Sequence, residues 1–479
     1  MVDYSPALMT DMYEYTMLDA ALKDGTADRK CVFEVFTRHL PEGRRYGVVA
    51  GTGRILDALE HFHLDEADLK FLADRHVVSP ETIKWLENFH FSGTIRGYRE
   101  GEMFFPNSPI LQVEGTFGEC TLLETLILSV LNYDSAVASA ASRMASAAKD
   151  RPCMDMGGRR TNEWAAVAAA RAAVVGGFKG TANLLAAQLY GLKAIGTAAH
   201  CFTLVHDSER DAFESQIEAL GKNTTLLVDT YNVLKSGVPN AIKAFKDILL
   251  PQGITNCAIR LDSGDLTYLS RKARKMLDAA GLTECKIVAS NSLDEYIIRD
   301  LLLQGAKIDS FGVGERLITS KSEPVFGGVY KLAAVEDENG EIIPKIKVSE
   351  NVEKITTPHF KQVYRLFDNK TGKALGDVLT VHDEQIDASL PYVLFHPVYT
   401  WKQRIVTDYT VRPLRVQLFK HGKCVYNSPD VEDIRKYCIR EVDTLWDQIK
   451  RFENPQTYFV DLSKKLWSCK NELLEACRI

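Results

Sequence analysis

From about residue 152 to about 333, short β-rich runs alternate with helical ones about every 20 to 40 residues. The strand candidates are 154–156, 194–197, 225–229, 258–261, 286–289 and 307–311. Between them, residues 163–175, 208–220, 238–250, 268–280 and 293–304 read as helices. Such alternation predicts parallel strands joined by crossover helices. Polar motifs sit where each strand hands over to a helix: DTYN at 229–232, LDSGD at 261–265, SNSLD at 290–294 and GVGER at 312–316. In a barrel these positions form the C-terminal face, where ligands bind. An open doubly wound sheet uses the same edge. The spread of the motifs over many strands favours the barrel.

The stretch 153–200 concentrates the chemistry. An apolar run ends in Gly157-Gly158, followed by Arg159 and Arg160. An Ala-rich helix leads to the Gly-rich turn 176–181, and His200 follows the strand 194–197. Close backbone approach, cationic side chains and an imidazole at the ends of successive elements suit a phosphorylated or carboxylated ligand.

The flanks differ in texture. Residues 8–24 read as a helix stopped by Gly25, 31–36 and 94–98 as strands, and 122–149 as a long helical stretch. Beyond 333, strands are expected at 342–348, 362–367, 378–381 and 412–420, and helices at 430–451 and 462–476. This predicts an N-terminal α+β domain over 1–130, a catalytic α/β domain over 131–333, and a segment 334–479 that packs on the first domain. A net charge of −6 gives no support for nucleic acid or an anionic membrane as partner. No apolar run reaches the roughly 18 residues of a membrane span. The N-terminal stretch carries acids and no basic region of a secretory signal. The ten cysteines form no CxxC pair, which fits a reduced, cytoplasmic setting.

Several residues have two readings. Asp262 and Asp265 suit sugar hydroxyls or a Mg²⁺-bound phosphate; Arg260, on the same strand face as Asp262, either binds an anion or neutralises the aspartates. GVGER, with Gly312, Gly314 and Arg316, reads as a phosphate loop or a plain tight turn. Arg159 and Arg160 form a phosphate clamp or pair with acids such as Glu163. His200 is a reactive imidazole or a structural hydrogen-bonding residue. Tyr13 packs in a core or serves a ligand, and Phe178 anchors its turn or stacks on a planar ring.

Taken together, these residues resemble the nicotinate phosphoribosyltransferase family. The resemblance rests on LMTDMYEYTML at 8–18, FEVFTRHLPEGRRYGVVAG at 33–51, MGGRRTNEWAAVAAARAAVVGGFKGTANLLA at 156–186 and GTAAH at 196–200. It continues through LVDTYNVLKSGVPNAI at 227–242, IRLDSGDL at 259–266, KIVASNSLDE at 286–295, IDSFGVGERLITS at 308–320, GGVYKL at 327–332, VSENVEKIT at 348–356 and RKYCIREVDTLWDQIKRFENP at 435–455. The order of motifs spans nearly the whole chain.

The resemblance implies an irregular TIM-like α/β barrel of the type II phosphoribosyltransferase kind, with a discontinuous α+β domain built from both chain ends. It implies transfer of a phosphoribosyl group from phosphoribosyl pyrophosphate to nicotinate, coupled to ATP hydrolysis through a phosphohistidine at His200, in NAD salvage. Mg²⁺ would travel with the pyrophosphate or ATP, near Asp262, without a dedicated side-chain cluster. His200 and Asp262 would be catalytic. Tyr13, Met156, Arg159, Phe178, Thr181, Arg260, Asp265, Asn291, Gly312, Gly314 and Arg316 would bind substrate. A homodimer with shared active sites is expected, in which Tyr13 reaches the partner's pyridine ring. Three positions distinguish this chain: Met156 where many relatives have a stacking Phe, Cys201 where Ser is common, and Ala182 where nicotinamide-using relatives carry Asp. An aspartate there would repel a carboxylate, so Ala182 favours nicotinate. Enzymes of this fold that use nicotinamide or quinolinate, and a catalytically silent metabolite-binding protein, are the alternatives.

Overall fold

The computed structural model describes residues 5–41 and 43–477; the first four residues of the N-terminal stretch lie outside them. The chain forms two units. One gathers 1–136, 325–429 and 437–479; the other holds 137–324 and 430–436. The boundary at 136 falls inside the helix Glu124–Ala148, where no change of texture marks it.

The first unit is built on a seven-stranded antiparallel sheet. Its order is Ile342–Pro344, Gly328–Glu336, Lys30–Thr37, Leu111–Thr116, Thr94–Tyr98, Arg415–Lys420 and Lys423–Cys424. Strands from both ends of the chain are therefore interleaved. Lys30–Thr37 pairs with Gly328–Glu336 in a register that stacks Phe33 on Tyr330, with ring centroids 4.7 Å apart. A four-stranded sheet (Tyr409–Pro413, Lys361–Asp368, Ala374–Val381, Val460–Leu462) completes this unit's main framework. The helix Met12–Asp24 ends at Gly25, whose φ of 78° is the left-handed cap that glycine supplies at least cost.

The second unit is organised on a five-stranded parallel sheet in the order Cys153–Asp155, Ser310–Val313, Lys286–Ala289, Ala258–Leu261, Thr225–Leu227. Isolated parallel bridges from Asp155 to Thr181 and from Thr181 to Ala194 extend it at one edge. The expected strand 194–197 is thus reduced to a single bridge, because the chain turns away after Ala194. The backbone bridges establish a mixed α/β unit with a parallel sheet. The helix Glu163–Val175 is capped by Asn162, whose Oδ1 accepts from the amides of Trp164 and Ala165. From Ala166 to Val175 every residue is buried, so its small side chains let it pack on all sides. The helix expected over 238–250 is α-helical only to Ala244 and widens to a π-helical turn over Phe245–Leu249.

Candidate active site

Alternation along Ala258–Leu261 buries Ile259 and Leu261 and turns Arg260 to the opposite face. There the Arg260 guanidinium is held at three points. Nε donates to Ser290 Oγ at 2.8 Å, Nη1 to Thr197 Oγ1 at 2.8 Å and Nη2 to Asp262 Oδ1 at 3.0 Å. The Ser290 hydroxyl in turn donates to Asp262 Oδ1. The neutralising reading of Arg260 is realised in its pair with Asp262; one N–H is left on each terminal nitrogen, and the side chain is 15% exposed.

His200 opens the short helix His200–Leu204, just beyond the edge of the sheet. Its Nδ1 lies 3.1 Å from Thr230 Oγ1, and Nε2 lies 4.0 Å from Asp229 Oδ1. The Asp229 side chain is 1% exposed, and among the described residues its buried Oδ1 has no hydrogen-bond partner. Its other oxygen accepts from the Asp262 amide at 3.2 Å and from the Ser263 hydroxyl at 2.6 Å. One carboxylate thus ties the LDSGD loop to the neighbourhood of the imidazole and aims an unsatisfied oxygen at it. Such an oxygen is costly unless a cation or donor completes it.

On the other side, two glycine loops abut. Asp155 Oδ1 accepts from the Gly157 amide at 2.9 Å, and Oδ2 accepts from Thr181 Oγ1 at 2.6 Å. Burial pushes the Asp155 carboxyl above its usual range, against the pull of those two hydrogen bonds. A side chain at Gly157 would collide with Ile318 Cβ at 2.8 Å and the Gly314 carbonyl at 2.9 Å. At Gly312 a Cβ would meet Met156 Sδ at 2.5 Å, so the thioether lies directly against the second glycine loop. Arg159 and Arg160, in the turn Gly158–Arg160, are exposed, and among the described residues no carboxylate pairs with either. Arg316 is paired with Asp294, which also caps the helix Glu295–Leu303. Asn291 sits exposed at the end of Lys286–Ala289 with φ at 89°, a strained value for a residue with a side chain.

The strand ends therefore bring together Met156, Gly312 and Gly314 in one cluster, and Arg260, Asp262 and His200 with Asp229 in another. Two expectations are corrected. Phe178 is fully buried, so its ring anchors the turn after Glu163–Val175 and offers no face to a ligand. Thr181 is equally buried, its hydroxyl committed to Asp155 and to the Asn183 amide. Asp265 caps the helix Leu266–Ala279 through the Tyr268 amide, which occupies one of its oxygens. Tyr13 lies in the first unit, 43% exposed on Met12–Asp24. Partial burial and the carboxylates of Glu124, Glu14 and Asp11 push its phenol up to about 12. Sequence reasoning missed Asp229, Thr197 and Ser290 as site residues. Each lies within a motif at a strand end, and that position was the available signal.

A parallel α/β unit with an arginine, aspartates and glycine loops at its strand ends belongs to the class of α/β folds that bind ligands at that edge. Three family models match in succession: the nicotinate phosphoribosyltransferase N-terminal domain over residues 8–132, the nicotinate phosphoribosyltransferase family over 152–362 and its C-terminal domain over 360–470. The chain is 40% identical to the nicotinate phosphoribosyltransferase of Bacillus subtilis over 469 residues, 98% of this chain and 95% of that one. It is 52% identical over 337 residues to nicotinate phosphoribosyltransferase pncB1 of Mycobacterium tuberculosis, covering 69% and 72% of the two chains. The crystal structure of human nicotinic acid phosphoribosyltransferase superposes with a TM-score of 0.83 at 27% identity, over 97% of this chain and all of that one. A nicotinate-nucleotide pyrophosphorylase from Pyrococcus furiosus shares the fold, with a TM-score of 0.70 at 24% identity. The chain belongs to the nicotinate phosphoribosyltransferase family.

Proposed function

We propose that this enzyme joins nicotinate to C1 of phosphoribosyl pyrophosphate, releasing pyrophosphate and forming nicotinate mononucleotide for NAD salvage. The observation that carries this reading is Arg260, held by two hydroxyls and one carboxylate with an N–H left on each terminal nitrogen. That fork matches a pyridine carboxylate. Exposed Ala182, in the loop bonded to Asp155, places no carboxylate against it.

Breaking the C1–pyrophosphate bond develops oxocarbenium-like charge on the ribose. The transition state therefore gains most from groups that fix both partners before reaction. Asp262 takes the ribose hydroxyls, the Gly312–Gly314 loop the 5′-phosphate, and exposed Arg159 the substrate anions. Met156, resting on Gly312, packs against the pyridine ring. Thr230 engages His200 Nδ1, which leaves Nε2 to attack the γ-phosphorus of ATP, forming the N–P bond as ADP departs. Hydrolysis of that phosphohistidine returns the imidazole and releases phosphate. Asp262 and the unsatisfied oxygen of Asp229 fit a Mg²⁺ ion carried by pyrophosphate or ATP, which would balance the leaving group's charge.

The sheet is read as an irregular barrel. What supports closure is side-chain bonding from the segment beyond Ala194 at one edge to the other side of the sheet: His200 to Thr230, just past the edge strand Thr225–Leu227, and Thr197 to Arg260 on the strand next to it. Tyr13, exposed beside Met9, Met12 and Met17, fits a homodimer in which it reaches the partner's site. The reading includes a cytoplasmic location, supported by the ten cysteines being free thiols.

The test is mononucleotide formation from nicotinate or nicotinamide with phosphoribosyl pyrophosphate and Mg²⁺, each with and without ATP. Product from nicotinate, increased by ATP, is expected. Product from nicotinamide alone would show that Ala182 was misread; no product from either would return the chain to the metabolite-binding reading.

A further inference from the structure

We propose that Ser290 is a positioning residue for carboxylate recognition: its hydroxyl, set between Arg260 and Asp262, keeps the arginine from being consumed by the aspartate beside it. The proposal rests on the assignment of Arg260 to the nicotinate carboxylate.

An arginine beside an aspartate ordinarily closes a two-bond fork, which uses two N–H groups and neutralises both charges. Here only Nη2 reaches Asp262. Nε, the other arm of one possible fork, donates instead to Ser290 Oγ at 2.8 Å. The serine's single proton goes to Asp262 Oδ1, with the Leu261 carbonyl a weaker acceptor at 3.4 Å. A neutral hydroxyl thus takes the place of a second carboxylate contact on each partner. Ser290 is suited to this because it cannot drift. It is 3% exposed, and its amide donates to the Leu261 carbonyl at 2.9 Å across the parallel strands. Thr197, also uncharged, fixes the far side of the guanidinium. The cation is oriented at three points while two of them leave its charge intact. That is the arrangement an anion-binding arginine needs and a purely structural ion pair does not.

Without the hydroxyl, Arg260 is free to turn Nε onto Asp262 and close the fork. Ser290→Ala should raise the KM for nicotinate about tenfold, the scale of one hydrogen bond to a charged group. The KM for phosphoribosyl pyrophosphate should change less than about threefold, and Ser290→Thr should restore most of the nicotinate affinity. The deciding measurement is a double-mutant cycle with Arg260→Ala. If Ser290 acts through Arg260, its substitution has no further effect on nicotinate KM once the arginine is gone. An equal effect in both backgrounds, or an unchanged KM in Ser290→Ala alone, overturns the proposal and leaves the Arg260 assignment standing. An unchanged nicotinate KM in Arg260→Ala overturns that assignment and the proposal with it. If Ser290→Ala proves too unstable for kinetics, Ser290→Cys, with a weak S–H donor of similar shape, carries the same cycle and the same outcomes.

Discussion

Two arginines, one in each unit, are provided for in opposite ways. Arg365, on Lys361–Asp368 in the first unit, is fully buried. Nε and Nη2 fork onto Asp377 at 2.7 and 2.9 Å, Nη1 meets Glu102 at 2.6 Å, and Nη2 also donates to the Met103 carbonyl at 2.9 Å. The stacked rings of Phe105 and Tyr458 lie beside its guanidinium. Nothing of its charge is left over. Arg260 has one carboxylate, two hydroxyls and open N–H groups. A buried cation is satisfied by carboxylates because leaving it short is expensive; steadied mainly by neutral groups, Arg260 keeps charge for the nicotinate carboxylate that we propose it binds.

The largest expected effect comes from Arg365→Ala. Removing the cation leaves buried Asp377 with the Tyr458 hydroxyl and no fork, and takes from Glu102 one of its two arginines, at a cost of about 3–5 kcal/mol. Thermal unfolding should report a steep loss of stability, and a melting temperature like that of the parent would break the comparison. Arg260→Ala is next and opposite in kind. It should raise the nicotinate KM about 100-fold, since two hydrogen bonds to a charged ligand are lost, with little change in melting temperature. His200→Ala should abolish ATP stimulation and ATP hydrolysis while weak transfer persists; stimulation that survives would remove the phosphohistidine from the mechanism.

The smallest effect sharpens the contrast from the buried side. Asp461, on Val460–Leu462, is pushed up to about 7 by burial, opposed by a hydrogen bond from the Phe395 amide. Its folded pKa is therefore raised above the unfolded value of about 4. The stabilisation that this proton brings is complete below about pH 4 and is lost as pH rises through about 7. Asp461→Asn should flatten the fall in melting temperature between about pH 4 and about pH 7. An Asn variant that falls as steeply as the parent would show that Asp461 does not carry this dependence.

Local chemistry was legible where one element decided it. The helix at 163–175 and the strands at 94–98, 258–261 and 286–289 match their expected bounds, because composition and periodicity agree there. The helix Glu66–Asp74 and the hairpin of Tyr392–Phe395 with Gln403–Val406 were not foreseen, since short, polar or mixed runs carry little periodic signal. Phe178 shows the same limit at the site. A phenylalanine in a glycine turn looks the same whether its ring faces a ligand or the core.

The sequence by itself determined the family, the βα rhythm, and which face of Ala258–Leu261 carries Arg260, because strand alternation is a local property. Only the tertiary structure decided how that arginine's charge is apportioned. Ser290 is 30 residues from Arg260 and Thr197 is 63, and Asp229 is 33 from Asp262. Such distances along the chain close only when parallel strands align their ends. Hydrogen-bond geometry, unlike periodicity, has no one-dimensional signature.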